Sequence, residues 1–128
     1  MPLPVLLDTH VLAWAQLEPG RLTPRARETM ENAEAVFVSA ITFFEIAQKA
    51  RLGKRPEIVS LLPRLRDIHE AQGGQIAGVD ADIALLASEL AWEHRDPFDR
   101  IIAATALKRK LVLISADMAF DAVVQRLW

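Results

Sequence analysis

The chain has 128 residues, 52% hydrophobic and 25% charged, with a net charge of −2; that is the length and composition of one ordered domain, not of a disordered chain. The near-neutral balance excludes a general attraction for nucleic acid, so any polyanion must be met by local cations or bound metal. Cysteine is absent, which excludes disulfides and thiolate metal sites, while no basic leader precedes Asp8 and no apolar run reaches transmembrane length; a cytoplasmic protein is expected.

Val5-Leu6-Leu7, after Pro4, is wholly apolar, as strands buried on both faces of a parallel sheet are. It ends at Asp8-Thr9-His10, and Val11 to Leu17 reads as a short helix closed by a turn at Pro19-Gly20. Thr23-Pro24 combines a capping side chain with proline at the first helical position, opening a helix to about Asn32. Ala35-Val36-Phe37-Val38 is a second strand; Ser39 can cap the next helix, which runs to Leu52 and stops at Gly53. Beyond the basic connector Lys54-Arg55-Pro56, a helical region interrupted or restarted at Pro63 runs to Gln72 and ends at Gly73-Gly74.

Gln75 to Val79 is a weaker third strand, and Asp80 caps a helix from Ala81 to about Glu93, with Ile83, Leu86, Ala87 and Leu90 facing inward. Asp96-Pro97 starts a helix to Lys108 or Arg109 that is apolar along much of its length and hence buried. Leu111 to Ile114 is the clearest strand; Ser115-Ala116-Asp117, a short helix around Met118 to Ala122 and a fifth, edge strand at Val123-Val124 complete the chain. Strands alternating with helices define an α/β fold, a parallel sheet of four or five strands with helices on both faces. No repeat, low-complexity tract or linker divides it, so residues 1–128 are read as a single domain.

In such sheets ligands bind beyond the carboxyl ends of the strands. Asp8 directly follows the first strand, Asp117 lies three residues beyond Ile114, and Glu45 lies about two turns into the helix leaving the second strand. The helix carrying Asp99 joins the Leu111 strand through one or two residues, so the two run antiparallel and Asp99 falls at the same edge. Each acid has a purely structural alternative. Asp8 can cap the following helix, Glu45 can pair with Lys49 four residues on, Asp117 can be a turn residue, and Asp96 and Asp99 suit a helix cap and first turn. Yet Phe43-Phe44-Glu45-Ile46-Ala47 is too apolar for a solvated face. Asp80 and Asp82 are assigned to capping alone.

Four carboxylates crowded at one edge would repel and raise one another's pKa values. A hard divalent cation relieves this, and all-oxygen ligands suit Mg²⁺ or Mn²⁺. Zinc is disfavoured, since His10, His69 and His94 have no ligand spacing. Magnesium held by carboxylates reaches for phosphate, so the expected chemistry is phosphoryl transfer or phosphodiester hydrolysis by a metal-activated water.

With those residues placed, the chain resembles the PIN-domain family, in particular VapC-like toxin ribonucleases of type II toxin–antitoxin systems. The resemblance spans the chain and rests on Leu6-Leu7-Asp8-Thr9-His10 with Trp14 downstream, Ser39 through Glu45, His94-Arg95-Asp96-Pro97-Phe98-Asp99-Arg100, and Ile114-Ser115-Ala116-Asp117. It implies a three-layer α/β/α sandwich and a metal-dependent endoribonuclease leaving 5′-phosphate and 3′-hydroxyl ends. One or two Mg²⁺ (or Mn²⁺) ions would be held by Asp8, Glu45, Asp99 and Asp117, with the Thr9 and Ser115 hydroxyls near the metal or its waters. Ser115 stands where many relatives carry threonine. Asp96 belongs to the motif but is assigned mainly to capping. The resemblance further implies a homodimer and a small cognate antitoxin whose C-terminal segment covers the site.

Arg100 can contact RNA phosphate or anchor an acid. Arg51, Lys54 and Arg55, and the run Lys108-Arg109-Lys110, can be RNA contacts or ordinary solvated helix ends. Trp14, Phe43, Phe44, Trp92 and Phe98 read as core or interface residues. Two other functions compete: a non-catalytic PIN-fold binding module, against which the complete acid set stands, and a Mg²⁺-dependent phosphotransfer domain of receiver or haloacid-dehalogenase type. The latter lacks paired acids, since His10 occupies the second position after Asp8.

Overall fold

Four apolar runs and one short C-terminal segment pair edge to edge, all in parallel. In a computed structural model, which describes residues 2–54 and 56–128, these are β1 (Pro4–Leu7), β2 (Ala35–Ser39), β3 (Gln75–Ala77), β4 (Val112–Ile114) and β5 (Arg126–Leu127). The helices are α1 (Thr9–Leu17), α2 (Pro24–Glu31), α3 (Ala40–Arg51), α4 (Leu65–Ala71), α5 (Ala81–Glu89) and α6 (Pro97–Arg109).

The sheet order is β3-β2-β1-β4-β5. Successive side chains in a strand point to opposite faces, and the two cores follow that alternation. Val5, Leu7, Val112 and Ile114 share one face with residues of α1, α2, α3 and α4, including Leu12, Ala26, Ile46 and Leu65. Leu6 and Leu113 face the other way, onto Ile102, Ala103 and Ala106 of α6 and Phe120. α5 packs Ile83 and Ala87 against Ala104 of α6, whose residues Ile102 to Ala106 are all buried. This is the expected three-layer α/β/α arrangement. Among the aromatics, Phe43 and Trp92 pack against the core, whereas Phe44 is half exposed and meets the ring of Phe98.

Several boundaries differ from the sequence reading, each for a local reason. α1 begins at Thr9 rather than Val11, because Asp8 accepts a hydrogen bond from the Thr9 amide and starts the helix there. β3 stops at Ala77 instead of reaching Val79. α5 ends at Glu89, not Glu93, and the chain then runs irregularly to the Asp96 cap. Its freed carbonyls are taken up by Arg100, as described below. The edge strand forms at Arg126–Leu127, not at Val123-Val124, since the amides of Val123 and Val124 both donate to Phe120 O (3.1 and 3.0 Å) and close the preceding turn. Helical turns at Pro56–Ile58 and Leu62–Arg64 precede α4, so the restart at Pro63 is observed, while Arg55 lies outside the described residues.

Leu7 pairs with both Val38 and Ile114, so β1 and β4 end level and β2 runs one residue further. The chain moves outward from β1 to β2 and β3, then crosses to β4 and β5 on the other side. The order therefore reverses beside β1, which is where sheets of this kind open a crevice for ligands.

Candidate active site

Asp8 stands at that reversal. Its amide donates to Ile114 O (3.0 Å), tying the end of β1 to the end of β4. Its side chain, 5% exposed, accepts from Thr9 N at Oδ1 (2.7 Å) and from Ser115 Oγ at Oδ2 (2.8 Å). Ser115 is itself pinned by β5: its amide donates to Leu127 O (3.2 Å) and its carbonyl accepts from Arg126 (2.9 Å). Burial raises the pKa of Asp8 most; Ser115, His10 and the Thr9 amide pull it down, and Glu45 pushes it up.

Glu45 lies on the inward side of α3 and is 3% exposed. Thr9 Oγ1 donates to its Oε1 and Lys49 Nζ to its Oε2, both at 2.6 Å. The Lys49 pair foreseen as a surface feature does form, but its carboxylate end is buried. Thr42, one turn before Glu45, brings its hydroxyl within 3.3 Å of the Thr9 hydroxyl.

Asp99 sits in the first turn of α6, with His94 Nε2 at 2.6 Å from Oδ2. Its pKa is raised to about 6, chiefly by burial; His94 lowers it, and Asp8, Asp96 and Glu45 raise it by repulsion. Asp8, Glu45 and Asp99, drawn from three different elements, thus sense one another's charge. Asp117 is exposed and accepts from Ala119 N (2.9 Å), capping the turn after β4, while its own amide donates to Ser115 Oγ. Asp8, Asp99 and Asp117 line one open cleft of about 270 Å³ together with His10, Trp14 and Ala116. Glu45 is not in its wall; it lies behind Thr9.

Asp96 caps α6, accepting from Phe98 N and Asp99 N. Arg100 requires a correction. It neither anchors an acid nor faces the cleft: its guanidinium donates to the carbonyls of Ala87, Leu90, Trp92 and His94 at 2.8–2.9 Å, and to Ser88 at 3.4 Å. That fills the place of the amides missing beyond the end of α5 and fixes the loop from which His94 reaches Asp99. Lys108 and Arg109 line a separate depression with Asp80 and Asp82, away from the cleft. Sequence reasoning did not assign His10, Thr42 or His94 to the site. His94 lay inside the Asp96 motif, and Thr42 one helical turn before Glu45, so spacing alone could have raised both.

Carboxylates gathered at one edge, two of them buried, and eased by hydroxyls, Lys49, His10 and His94 have the donor chemistry of a site for a hard divalent cation. As the side chains are turned, each acid faces its own partner, and among the described residues no three acids or histidines stand ready to share one ion.

A carboxylate cluster at the switch point of a parallel three-layer sheet is the architecture of the PIN domain, and the chain belongs to that family: the PIN domain model matches residues 5–125. In sequence it is similar to "Ribonuclease VapC22" of Mycobacterium tuberculosis, 33% identical over 114 residues that make up 88% of this chain and 86% of that one. Among solved structures it is similar to FitAcB from Neisseria gonorrhoeae (TM-score 0.68, 27% identity, covering 97% of this chain and 96% of that one). The fold also matches VapBC2 from Rickettsia felis, solved bound to a DNA fragment from its promoter (TM-score 0.70, 17% identity, 97% of both chains).

Proposed function

We propose that this PIN domain is a metal-dependent endoribonuclease, the toxin of a toxin–antitoxin pair, acting in the cytoplasm as one domain over residues 1–128. The observation that carries the reading is the convergence of Asp8, Asp99 and Asp117 on one cleft at the carboxyl edge of the sheet, with Glu45 buried behind Thr9 and Asp99 partly buried. Similarity to a named ribonuclease over most of both chains supports RNA as the substrate.

Asp8, Glu45 and Asp99 would hold one or two Mg²⁺ or Mn²⁺ ions, with Asp117 completing the set from the rim. When bound, such an ion lowers the pKa of water and polarises the scissile phosphate. The chain's own contributions follow from the contacts described. Ser115 Oγ orients Asp8 and Thr9 Oγ1 orients Glu45, so that neither carboxylate is free to rotate. Lys49 offsets the charge of Glu45. Asp99, held by His94 at the first turn of α6, would offer its carboxylate to the cleft, and a cation there would offset the repulsion it feels from Asp8 and Glu45. Hydrolysis leaves 5′-phosphate and 3′-hydroxyl ends. A homodimer and a small antitoxin whose C-terminal segment covers the cleft belong to the same proposal, drawn from the resemblance to VapC-like toxins. Membership of the PIN family sets aside the phosphotransfer reading.

The test is cleavage of total cellular RNA with Mg²⁺ or Mn²⁺, with EDTA as control, beside Asp8→Asn and Asp99→Asn. Discrete fragments from the wild type, absent with EDTA and from both folded variants, are expected. No cleavage by folded, antitoxin-free protein that binds Mn²⁺ would leave the non-catalytic binding module as the better account. Equal cleavage by the variants would move the site elsewhere.

A further inference from the structure

The acid cleft does not end at Trp14. His10 and Trp14, one turn apart on α1 with their rings 5.8 Å apart, form a wall shared with a second, larger depression of about 540 Å³. Its remaining sides come from Glu18 and Arg21 on one hand, and from Lys49, Lys54 and Glu57 on the other. We infer that this groove seats the RNA strand on one side of the cleavage point, with Arg21 and Lys54 as its phosphate contacts. The inference rests on the ribonuclease reading above and adds where the strand lies.

Local structure places both cations. After α1 the chain makes a tight turn at Pro19–Arg21, which lays the Arg21 guanidinium 4.4 Å over the Trp14 ring. A cation held on an aromatic face is already oriented, and it keeps its donors for phosphate. Across the groove, Gly53 adopts φ +75°, open to glycine at little cost. The chain therefore folds back at the end of α3, and the Lys54 amide donates to Lys49 O (2.9 Å). That bend returns Lys54 to the rim, whereas Arg51 does not line the groove.

The cleft presents the acids Asp8, Asp99 and Asp117, whereas the adjoining groove sets Arg21, Lys49 and Lys54 among Glu18 and Glu57. Lys49 is committed to Glu45 at 2.6 Å, which leaves Arg21 and Lys54 beside Glu18 and Glu57; Arg21 meets Glu18 only at 3.7 Å with both side chains about half exposed, so these two cations are the groups that can turn to phosphate. In a chain of net charge −2, cations gathered beside the acids are where a polyanion gains hold. A single strand whose scissile phosphate lies in the cleft can continue past His10 and Trp14 into this groove, because the two share that wall. The groove volume is within the roughly 300–1,000 Å³ of ordinary ligand sites, ample for part of one nucleotide unit.

The experiment compares wild type with Arg21→Met/Lys54→Gln, in which Met keeps cover over Trp14. Binding of a fluorescent, mixed-sequence, short single-stranded RNA is followed by anisotropy in EDTA, across a salt series. The double variant is expected to bind roughly tenfold more weakly, with a log–log salt slope shallower by about 1.4, the value for two lost phosphate contacts. With Mg²⁺, KM for RNA cleavage should rise in parallel while kcat is kept. Lys54→Glu, which leaves the Arg21–Trp14 contact untouched, is the second variant and should weaken binding on its own. Equal affinity and equal salt slope in folded variants, or no RNA binding by the wild type, overturns the inference. A groove that serves a protein segment would give that first result. Wild type that binds with the expected sensitivity but cleaves nothing defeats the ribonuclease reading and leaves the groove standing; cleavage with unaltered variant binding does the reverse.

Discussion

Asp99 is held protonated to about pH 6 because burial disfavours its anion and three neighbouring acids add to the cost, more than His94 returns. The folded chain therefore binds this proton more tightly than the unfolded chain, whose aspartate titrates near 3.8. Stability falls as pH rises between those two values, and the full cost is present above pH 6. Asp99→Asn should accordingly melt higher than wild type in EDTA at pH 8, with the gain shrinking by pH 5; thermal melts at the two pH values check it. A variant that melts lower at pH 8 would mean that the His94 contact outweighs burial. The position of Asp99 was legible from the sequence, because a short link forces α6 and β4 to run antiparallel. Its partner was not, since His94 reaches it only through an irregular loop whose path no periodicity records. Glu45 was legible as both candidate and ion pair, and the structure joins the two readings in one buried contact with Lys49.

That loop makes Arg100 the least legible residue of the site region. An arginine following an acid in a helix reads as an electrostatic partner, yet every donor of its guanidinium is spent on main-chain carbonyls between α5 and α6. Arg100→Met should cost roughly 3 kcal/mol, as several partly buried carbonyls lose charged donors together. A lower urea midpoint at unchanged m-value checks it, and Arg100→Lys should recover little because one ammonium cannot span that fork. A second element-scale prediction concerns the join of α4 to β3. His69 is buried, its Nε2 meets Gln75 O at 2.9 Å, and a methyl group at Gly74 would overlap its ring. Gly74→Ala should destabilise by about 2 kcal/mol by displacing the imidazole, read from the same denaturation curves. Gly74 looked like a mere helix stop from sequence; only the packed ring reveals the need for a bare α-carbon. The element ends show the same limit. β5 was foreseen as an edge strand but placed too early, because two apolar valines outweighed a turn that had already claimed their amides.

The whole sheet organises the site by bringing together segments remote in the chain. The strands and their alternation with helices were readable because burial on both faces leaves continuous apolar runs; the order β3-β2-β1-β4-β5 was not, because pairing partners leave no local mark. Among the described residues no helix is long and apolar enough to cross a membrane. The outermost strand matters more than its two residues suggest. It holds Ser115 from both sides through Leu127 and Arg126, the latter braced by Asp121, while Trp128 meets the ring of Trp14 at the cleft wall. Removing residues 126–128 should lower the melting temperature and abolish the further rise expected of the full chain with Mn²⁺; melts with and without Mn²⁺ check this. Retention of that rise would mean that Ser115 keeps its place without β5.

Synthesis proceeds from the amino end, so Asp8 leaves the ribosome more than a hundred residues before the clamp on Ser115. The hydroxyl that fixes Asp8 has its own support only once Arg126 and Leu127 have emerged. A nascent chain still held short of them carries the acids without the brace, beside a translation apparatus made largely of RNA. The parallel edge strand thus sets an order of assembly, in which Asp8 gains a braced hydroxyl only after β5 has joined the sheet.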